Sequence, residues 1–186
     1  TLMPEVEHMA QVLGISVDNV LAKLKYKYDG YHFTKNCPDI YNPFSLLNSL
    51  KECELRNYWY STGTPTLLTK EIGHYTIKPE DLDHFNASEM ELNAPMERAE
   101  TPIPVLYQSG YVTIKSVKNG RYRLGFPNEE VRVSFLKGLM PYYSKLPERE
   151  NISFIMSLMD ALDARDVDQA MTLMRSFISS IPYNAE

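Results

Sequence analysis

A chain of 186 residues has room for one ordinary domain or two small ones. With 44% hydrophobic and 23% charged residues it is not a disordered chain, and no apolar run approaches the ~20 residues a membrane span needs. Cys37 and Cys53 alone cannot form a disulfide framework, and nothing at the N-terminus reads as a signal peptide, so the sequence points to a reducing, cytoplasmic setting with no membrane partner. With Thr1 in place of Met, the expectation is a piece cut from a longer chain.

The net charge of −5 is unevenly spread. Between Pro79 and Glu100 seven acids stand against Arg98 alone, a local −6. Between Tyr111 and Lys145 seven bases stand against Glu129 and Glu130, a local +5. Such asymmetry permits a local anionic partner on a protein whose net charge discourages one. The plainer alternative is that the two stretches neutralise each other or lie solvated.

In chain order, Val6, Met9, Ala10 and Leu13 recur at helical spacing behind Pro4, and Gly14 stops that helix. Ser16 caps a second helix that carries Val17, Val20, Leu21 and Leu24 inward. The aromatic run Tyr26 to Phe33 turns at Asp29-Gly30, since glycine takes positive φ at no steric cost. Asn42-Pro43 opens a third helix with Phe44, Leu46, Leu47 and Leu50 on its apolar side, and a further helix is expected over Thr64 to Ile72. The acidic stretch then reads as a connector with at most a short strand or turn.

After a short helix over Ile103 to Ser109, Tyr111–Val117 and Arg121–Phe126 read as a β-hairpin around a type I′ Asn119-Gly120 turn. In that register Lys118 faces Arg121, Val117 faces Tyr122 and Lys115 faces Leu124. Asn128 caps a helix that has Glu129 and Glu130 in its first turn, buries Val131, Phe135 and Leu139, and ends near Pro141. Pro147 to Asn151 reads as a linker. Two helices follow as a hairpin, one lined by Ile152, Ile155, Leu158, Met159 and Leu162, the other by Val167, Ala170, Met171, Met174, Phe177 and Ile178, with Asp166 as cap.

Catalytic patterns are not evident. None of the eight glycines sits in a phosphate-binding loop, and no serine lies in a nucleophile elbow. His32 and Cys37 are five apart but lack further zinc ligands, and Asp81 with Asp83 fits a solvated connector better than acid–base chemistry. Tyr26, Tyr28, Tyr31 and Phe33 read as packing rather than as a base-stacking platform. The short helix, hairpin and following helix together form a winged-helix-like pattern, with Gln108 and Ser109 as its only polar base readers and Lys118, Arg121 and Arg123 as its phosphate contacts.

Several runs resemble one family. Tyr28-Asp-Gly-Tyr31, Ile40-Tyr-Asn-Pro-Phe-Ser45, Tyr58-Trp-Tyr-Ser-Thr-Gly63, Val105-Leu-Tyr-Gln-Ser-Gly-Tyr111 and Leu124-Gly-Phe-Pro-Asn-Glu-Glu-Val131 are similar, in order, to the AAA-ATPase-like proteins common in Bacteroidetes. In that family a P-loop ATPase domain precedes this region and a PD-(D/E)XK nuclease-like domain follows it. The resemblance implies that the phosphate-loop lysine lies upstream of Thr1 and the nuclease carboxylates downstream of Glu186. ATP and magnesium would then belong to the longer protein, with no cofactor or metal site in this segment. No catalytic residue carries over; the family motif residues that do are Tyr28, Asp29, Gly30, Tyr31, Tyr41, Asn42, Pro43 and Ser45, with no role assigned to each.

The expected fold is mainly α, in an α+β arrangement. It comprises a helical lid-like region over 1–78, an acidic connector over 79–100, a winged-helix-like unit over 101–146 and a helical hairpin over 147–186 leading to the nuclease-like domain. The favoured function is a non-catalytic regulatory segment that couples the flanking ATPase and nuclease-like domains, its partners in the same chain. The acidic connector lying over the basic wing in one state is a candidate for the moving element. The alternatives are a nucleic-acid-binding module that contacts phosphates through the basic hairpin, and a protein-interaction adaptor with exposed apolar helices. An enzyme in its own right ranks last.

Overall fold

The computed structural model describes residues 2–34, 37–59, 75 and 84–181. The helix expected over 64–72, the first part of the acidic stretch and the tail after residue 181 lie outside the described residues. The fold is mainly helical with one small antiparallel sheet, an α+β arrangement. It divides into two compact units, 1–135 and 136–186.

The first unit opens with three helices, α1 (Met3–Leu13), α2 (Val17–Tyr28) and α3 (Pro43–Glu52). Gly14 ends α1 at φ 65°, and the Ser16 hydroxyl accepts from the Asn19 N–H at 3.3 Å to start α2. Their core is Val6, Met9, Ala10, Val20, Leu24, Tyr28, Leu50 and Cys53. Asn42 caps α3 through Oδ1, which accepts from Phe44 N–H at 3.1 Å and Ser45 N–H at 3.3 Å. This helix buries only part of the side its apolar spacing indicates: Leu50 is in the core and Leu46 packs against it. Phe44 and Leu47 are exposed, while Ser45 and Ser49 are fully buried beside Leu50. The reason is that its neighbours are polar: Ser49 Oγ donates to the Glu54 carbonyl at 2.6 Å, and Ser45 faces a buried carboxylate.

Residues 84–100, within the stretch read as a connector with a short strand or turn, form regular elements. They supply β1 (Phe85–Ser88), the short helix α4 (Glu89–Leu92) and a single 3-10 turn (Met96–Arg98). After α5 (Ile103–Gln108) come β2 (Thr113–Lys118) and β3 (Arg121–Gly125), in the sheet order β1-β3-β2. The second strand of the hairpin returns to pair with β1, which completes the three-stranded antiparallel sheet. Asn119 and Gly120 have φ of 52° and 73°, as a type I′ turn requires.

Lys118 pairs with Arg121 and Val117 with Tyr122 as the turn dictates, but Leu124 pairs with Ile114, not Lys115. A bulge between Ile114 and Ser116 absorbs one residue. It lets Ile114 enter the core and turns the Lys115 ammonium toward the Pro127 carbonyl, 3.2 Å away.

The helix α6 (Glu129–Ser144) runs one turn beyond Pro141, which was expected to end it; the Pro141 carbonyl still accepts from Lys145 N–H at 3.0 Å. Asn128 Oδ1 caps it by accepting from Val131 N–H at 3.1 Å.

In the second unit, α7 (Glu148–Asp163) starts directly after Pro147, so most of the expected linker is helix. The Asn151 amide turns back to donate to the Leu146 carbonyl at 3.1 Å. α7 packs on α8 (Val167–Ser180) through buried Ala161 and Ala170 and through Phe154 stacked on Phe177 at 4.1 Å. Asp166 caps α8, its Oδ1 accepting from Gln169 N–H at 2.9 Å. Ile152, Met159, Leu162, Val167, Met171, Met174 and Ile178, expected to line the hairpin, are exposed, as is Met156. Two helices joined by a short turn bury only the facing stripe, and small alanines at the crossing leave the neighbouring positions outside.

Asn128→Ala removes the α6 cap. It should lower stability by about 1 kcal/mol, read as a lower urea midpoint at unchanged slope.

Candidate functional site: a buried polar joint and a cationic sheet face

The motif residues converge on the N-terminus of α6. Glu130 is completely buried, and its Oε1 accepts from the Trp59 N–H at 2.9 Å. The Ser45 hydroxyl faces the same carboxylate, although Ser45 Oγ and Glu130 Oε2 fall short of hydrogen-bond geometry. Burial pushes the Glu130 carboxyl up from the ordinary carboxylate range. The Trp59 and Tyr58 backbone N–H groups, the Ser45 hydroxyl and the Lys27 ammonium pull it part of the way back. Lys27 Nζ lies 2.7 Å from Glu129 Oε2, with both side chains largely buried.

Burial dominates the surroundings of the motif's tyrosines. Tyr28 is fully buried and donates to the Arg56 carbonyl at 2.8 Å; burial pushes its hydroxyl up to about 12. Tyr31 is raised further by burial, then by the Glu130 charge, against the Asn42 side chain. Burial raises Tyr41 as well, helped by Asp29. The Tyr31 and Ile40 backbones exchange hydrogen bonds at 3.1 and 2.9 Å, closing the loop that carries both motifs.

Asp29-Gly30 does more than turn the chain. Gly30 sits at φ 109°, and a Cβ on it would lie 2.1 Å from the Pro127 carbonyl oxygen. Two residues on, His32 is clasped by Thr113 of β2: its N–H donates to Thr113 Oγ1 and its carbonyl accepts from it, both at 2.7 Å. Asp29 is buried with Oδ1 unpaired among the described residues. Its charge, after that of Asp39, supports the Lys115 ammonium, which burial holds below the usual lysine range. An aromatic chain completes the joint. Trp59 meets the edge of Tyr111 at 4.7 Å, Tyr111 meets Phe135 at 5.5 Å and Phe135 meets Phe126 at 5.1 Å.

The other predicted residues lie elsewhere. Lys118, Arg121 and Arg123 are exposed on one face of the sheet. There they line a shallow cleft of about 520 Å³ with Asn86, Ser116 and Asn119. Arg123 approaches His84 Nδ1 at 2.9 Å. Gln108, expected as a base reader, is committed instead: its Nε2 donates to the Leu92 and Ala94 carbonyls at 3.1 and 2.8 Å. His32 Nδ1 lies 3.1 Å from Asp39 Oδ1, Cys37 Sγ accepts from Thr34 Oγ1 at 2.8 Å, and no three His, Cys, Asp or Glu side chains cluster among the described residues.

Sequence reasoning missed Glu130, Trp59, Thr113 and Pro127 as partners of the motif. One signal was present: Glu130, Ser134 and Gly138 form an i, i+4, i+8 stripe of polar or small residues beside the apolar Val131, Phe135 and Leu139, and all six are buried.

No family model matches the chain, and no solved structure matches it. A curated protein of Azotobacter chroococcum mcd 1, named "Uncharacterized protein in vnfD 5'region", is 34% identical over 162 residues. The match covers 84% of this chain but 31% of that protein, so the chain spans about a third of the length of that relative. No described helix is long and apolar enough to cross a membrane.

Two expectations follow. Gly30→Ala adds a steric clash to a strained φ and should cost at least about 3 kcal/mol in chemical unfolding. Glu130→Gln keeps an acceptor for Trp59 and removes a buried charge. Because the folded state holds a proton on Glu130 at higher pH than the unfolded state, this group's contribution to wild-type stability should decline as pH rises from about 4.3 toward neutrality. The wild-type-minus-variant difference in unfolding free energy should fall over that window; a flat difference would mean that the carboxyl is not perturbed.

Proposed function

We propose that the chain is a non-catalytic coupling segment of a longer cytoplasmic protein, linking an upstream ATP-binding domain to a downstream nuclease-like domain. The observation that carries this reading is that the quoted motifs meet around Glu130. Their polar groups are turned on one another and on backbone, not into an open cavity. A catalytic site presents its reactive groups to substrate; here Tyr28 and the Trp59 N–H are already engaged, and Ser45 and Glu130 are sealed from solvent. Two further facts support it: the relative is about three times the length of the matched region, and the α7–α8 hairpin carries an apolar face of the kind a neighbouring domain covers.

Coupling needs an element with two arrangements. The joint offers one, since Glu130 is held through one oxygen while the other has no partner among the described residues. A small displacement of α6 would exchange the Trp59 contact for one with Ser45 and transmit the shift along the helix.

The test is amide hydrogen exchange on the full-length protein with and without a non-hydrolysable ATP analogue. The expected result is a nucleotide-dependent change in protection at Trp59 and Val131 that Glu130→Ala abolishes. Unchanged protection there, with the analogue demonstrably bound, would overturn the reading.

A further inference from the structure

Three of the sheet's four cations stand on one face, the fourth, Lys115 at the bulge, being turned to the Pro127 carbonyl. The register places Ser88, Arg121 and Lys118 in one row across the three strands, and Asn86, Arg123 and Ser116 in the next. On the opposite face the corresponding rows are Ala87, Tyr122 and Val117, then Phe85, Leu124 and Ile114, which enter the core or its margin. β1 therefore turns a two-stranded tip into a three-stranded polar platform.

Lys118 and Arg121 stand directly opposite each other with Arg123 one row away, an arrangement of like charges that costs stability. No acid of the described residues forms an ion pair with any of the three. Glu91, the acid that lines an adjoining cleft beside Arg121, accepts instead from Thr101 Oγ1 at 2.7 Å. A surface shaped for stability alone intersperses charges of both signs. Here six side chains line the cleft, three cationic and three neutral amides or hydroxyls, the types that bind phosphate oxygens.

We infer that this face is a binding site for the sugar–phosphate backbone of duplex nucleic acid, read without regard to sequence. Two cations at alternate positions of β3 lie about 7 Å apart along the strand, on an open shallow face that suits an extended polyanion better than one enclosed phosphate. Single strands are bound on aromatic platforms, whereas no aromatic residue lines this cleft and Tyr122 belongs to the opposite face. Base reading is denied by the neighbouring helix: α5 buries Ile103, Pro104, Val105 and Leu106, and its Gln108 is taken up by two carbonyls. The inference is independent of the coupling proposal, since it involves none of the residues around Glu130.

The experiment measures binding of the 186-residue chain to a mixed-sequence DNA duplex, its shuffled version, the matching RNA duplex and each single strand, with poly-glutamate as competitor. Three phosphates neutralised give a log–log salt slope near −2.7, or about 40-fold weaker binding between 50 and 200 mM salt. The expected pattern is equal affinity for the shuffled duplex, weaker binding of single strands, and loss of binding in K118Q/R121Q/R123Q with unchanged thermal unfolding. A DNA-over-RNA or RNA-over-DNA preference identifies which duplex geometry fits and supports the site either way. No binding at 50 mM salt, binding untouched by the triple variant, tighter binding of single strands, or equal displacement by poly-glutamate would each overturn it. Should the triple variant unfold, R121Q/R123Q decides by the same criteria.

Discussion

A carboxyl group taken out of water has to be met by something, and in this chain Glu130 determines what is around it. An isolated buried carboxylate is costly enough that it either takes up a proton or gathers donors. Glu130 gathers the Trp59 N–H directly and leans on the Ser45 hydroxyl and the Lys27 ammonium. Those three requirements fix much else. α3 must turn its serines inward, the chain must pass Tyr58 and Trp59 alongside α6, and the end of α2 must lie close enough for Lys27 to reach Glu129. Gly30 beneath the Pro127 carbonyl then follows from the closeness of the two backbones, because no side chain fits between them.

The result partly inverts the usual distribution of residue types. The first unit buries Glu130, Ser45, Ser49, Ser134 and Asn128, while the hairpin of the second exposes four methionines, two isoleucines, Leu162 and Val167. Buried polar groups limit a segment to a few discrete arrangements more sharply than apolar packing does, because a displaced partner leaves a desolvated group behind. Flexible methionine-rich faces adapt to whatever covers them. A precise interior and an adaptable exterior are what the proposed coupling role combines.

Punctuation was the most legible part of the fold in the sequence. Ser16, Asn128 and Asp166 cap the helices they were expected to cap, Asn42-Pro43 opens the helix it was expected to open, and Asn119-Gly120 makes the expected turn, because these are contacts within three residues of chain. The inward face of α3 was legible at Leu46 and Leu50 but not at Ser45 and Ser49. Apolar spacing assumes an apolar partner, and here the partner is a carboxylate contributed 85 positions later. β1 was foreseen only as a short strand or turn somewhere in the acidic stretch, because four residues with one large apolar side chain carry too little alternation to be placed. The bulge at Lys115 shifted the hairpin pairing for a tertiary reason, the capture of its ammonium by the Pro127 carbonyl. Of the site, the cationic triad could be read directly from the hairpin register, whereas Asn86 joins it only because β1 pairs with β3.

The joint also constrains the order in which the protein can be made. Lys27 waits 102 residues for Glu129, His32 waits 81 for Thr113 and Trp59 waits 71 for Glu130. The three-helix core around Met9, Leu24 and Leu50 closes through contacts within the first 53 residues and can form while the rest is still being synthesised. The polar flank of that core has no partners until α6 has left the ribosome. A nascent chain therefore passes through a stage in which Ser45 and the backbone around Gly30 and Trp59 face water, and burial of Glu130 is the event that ends it.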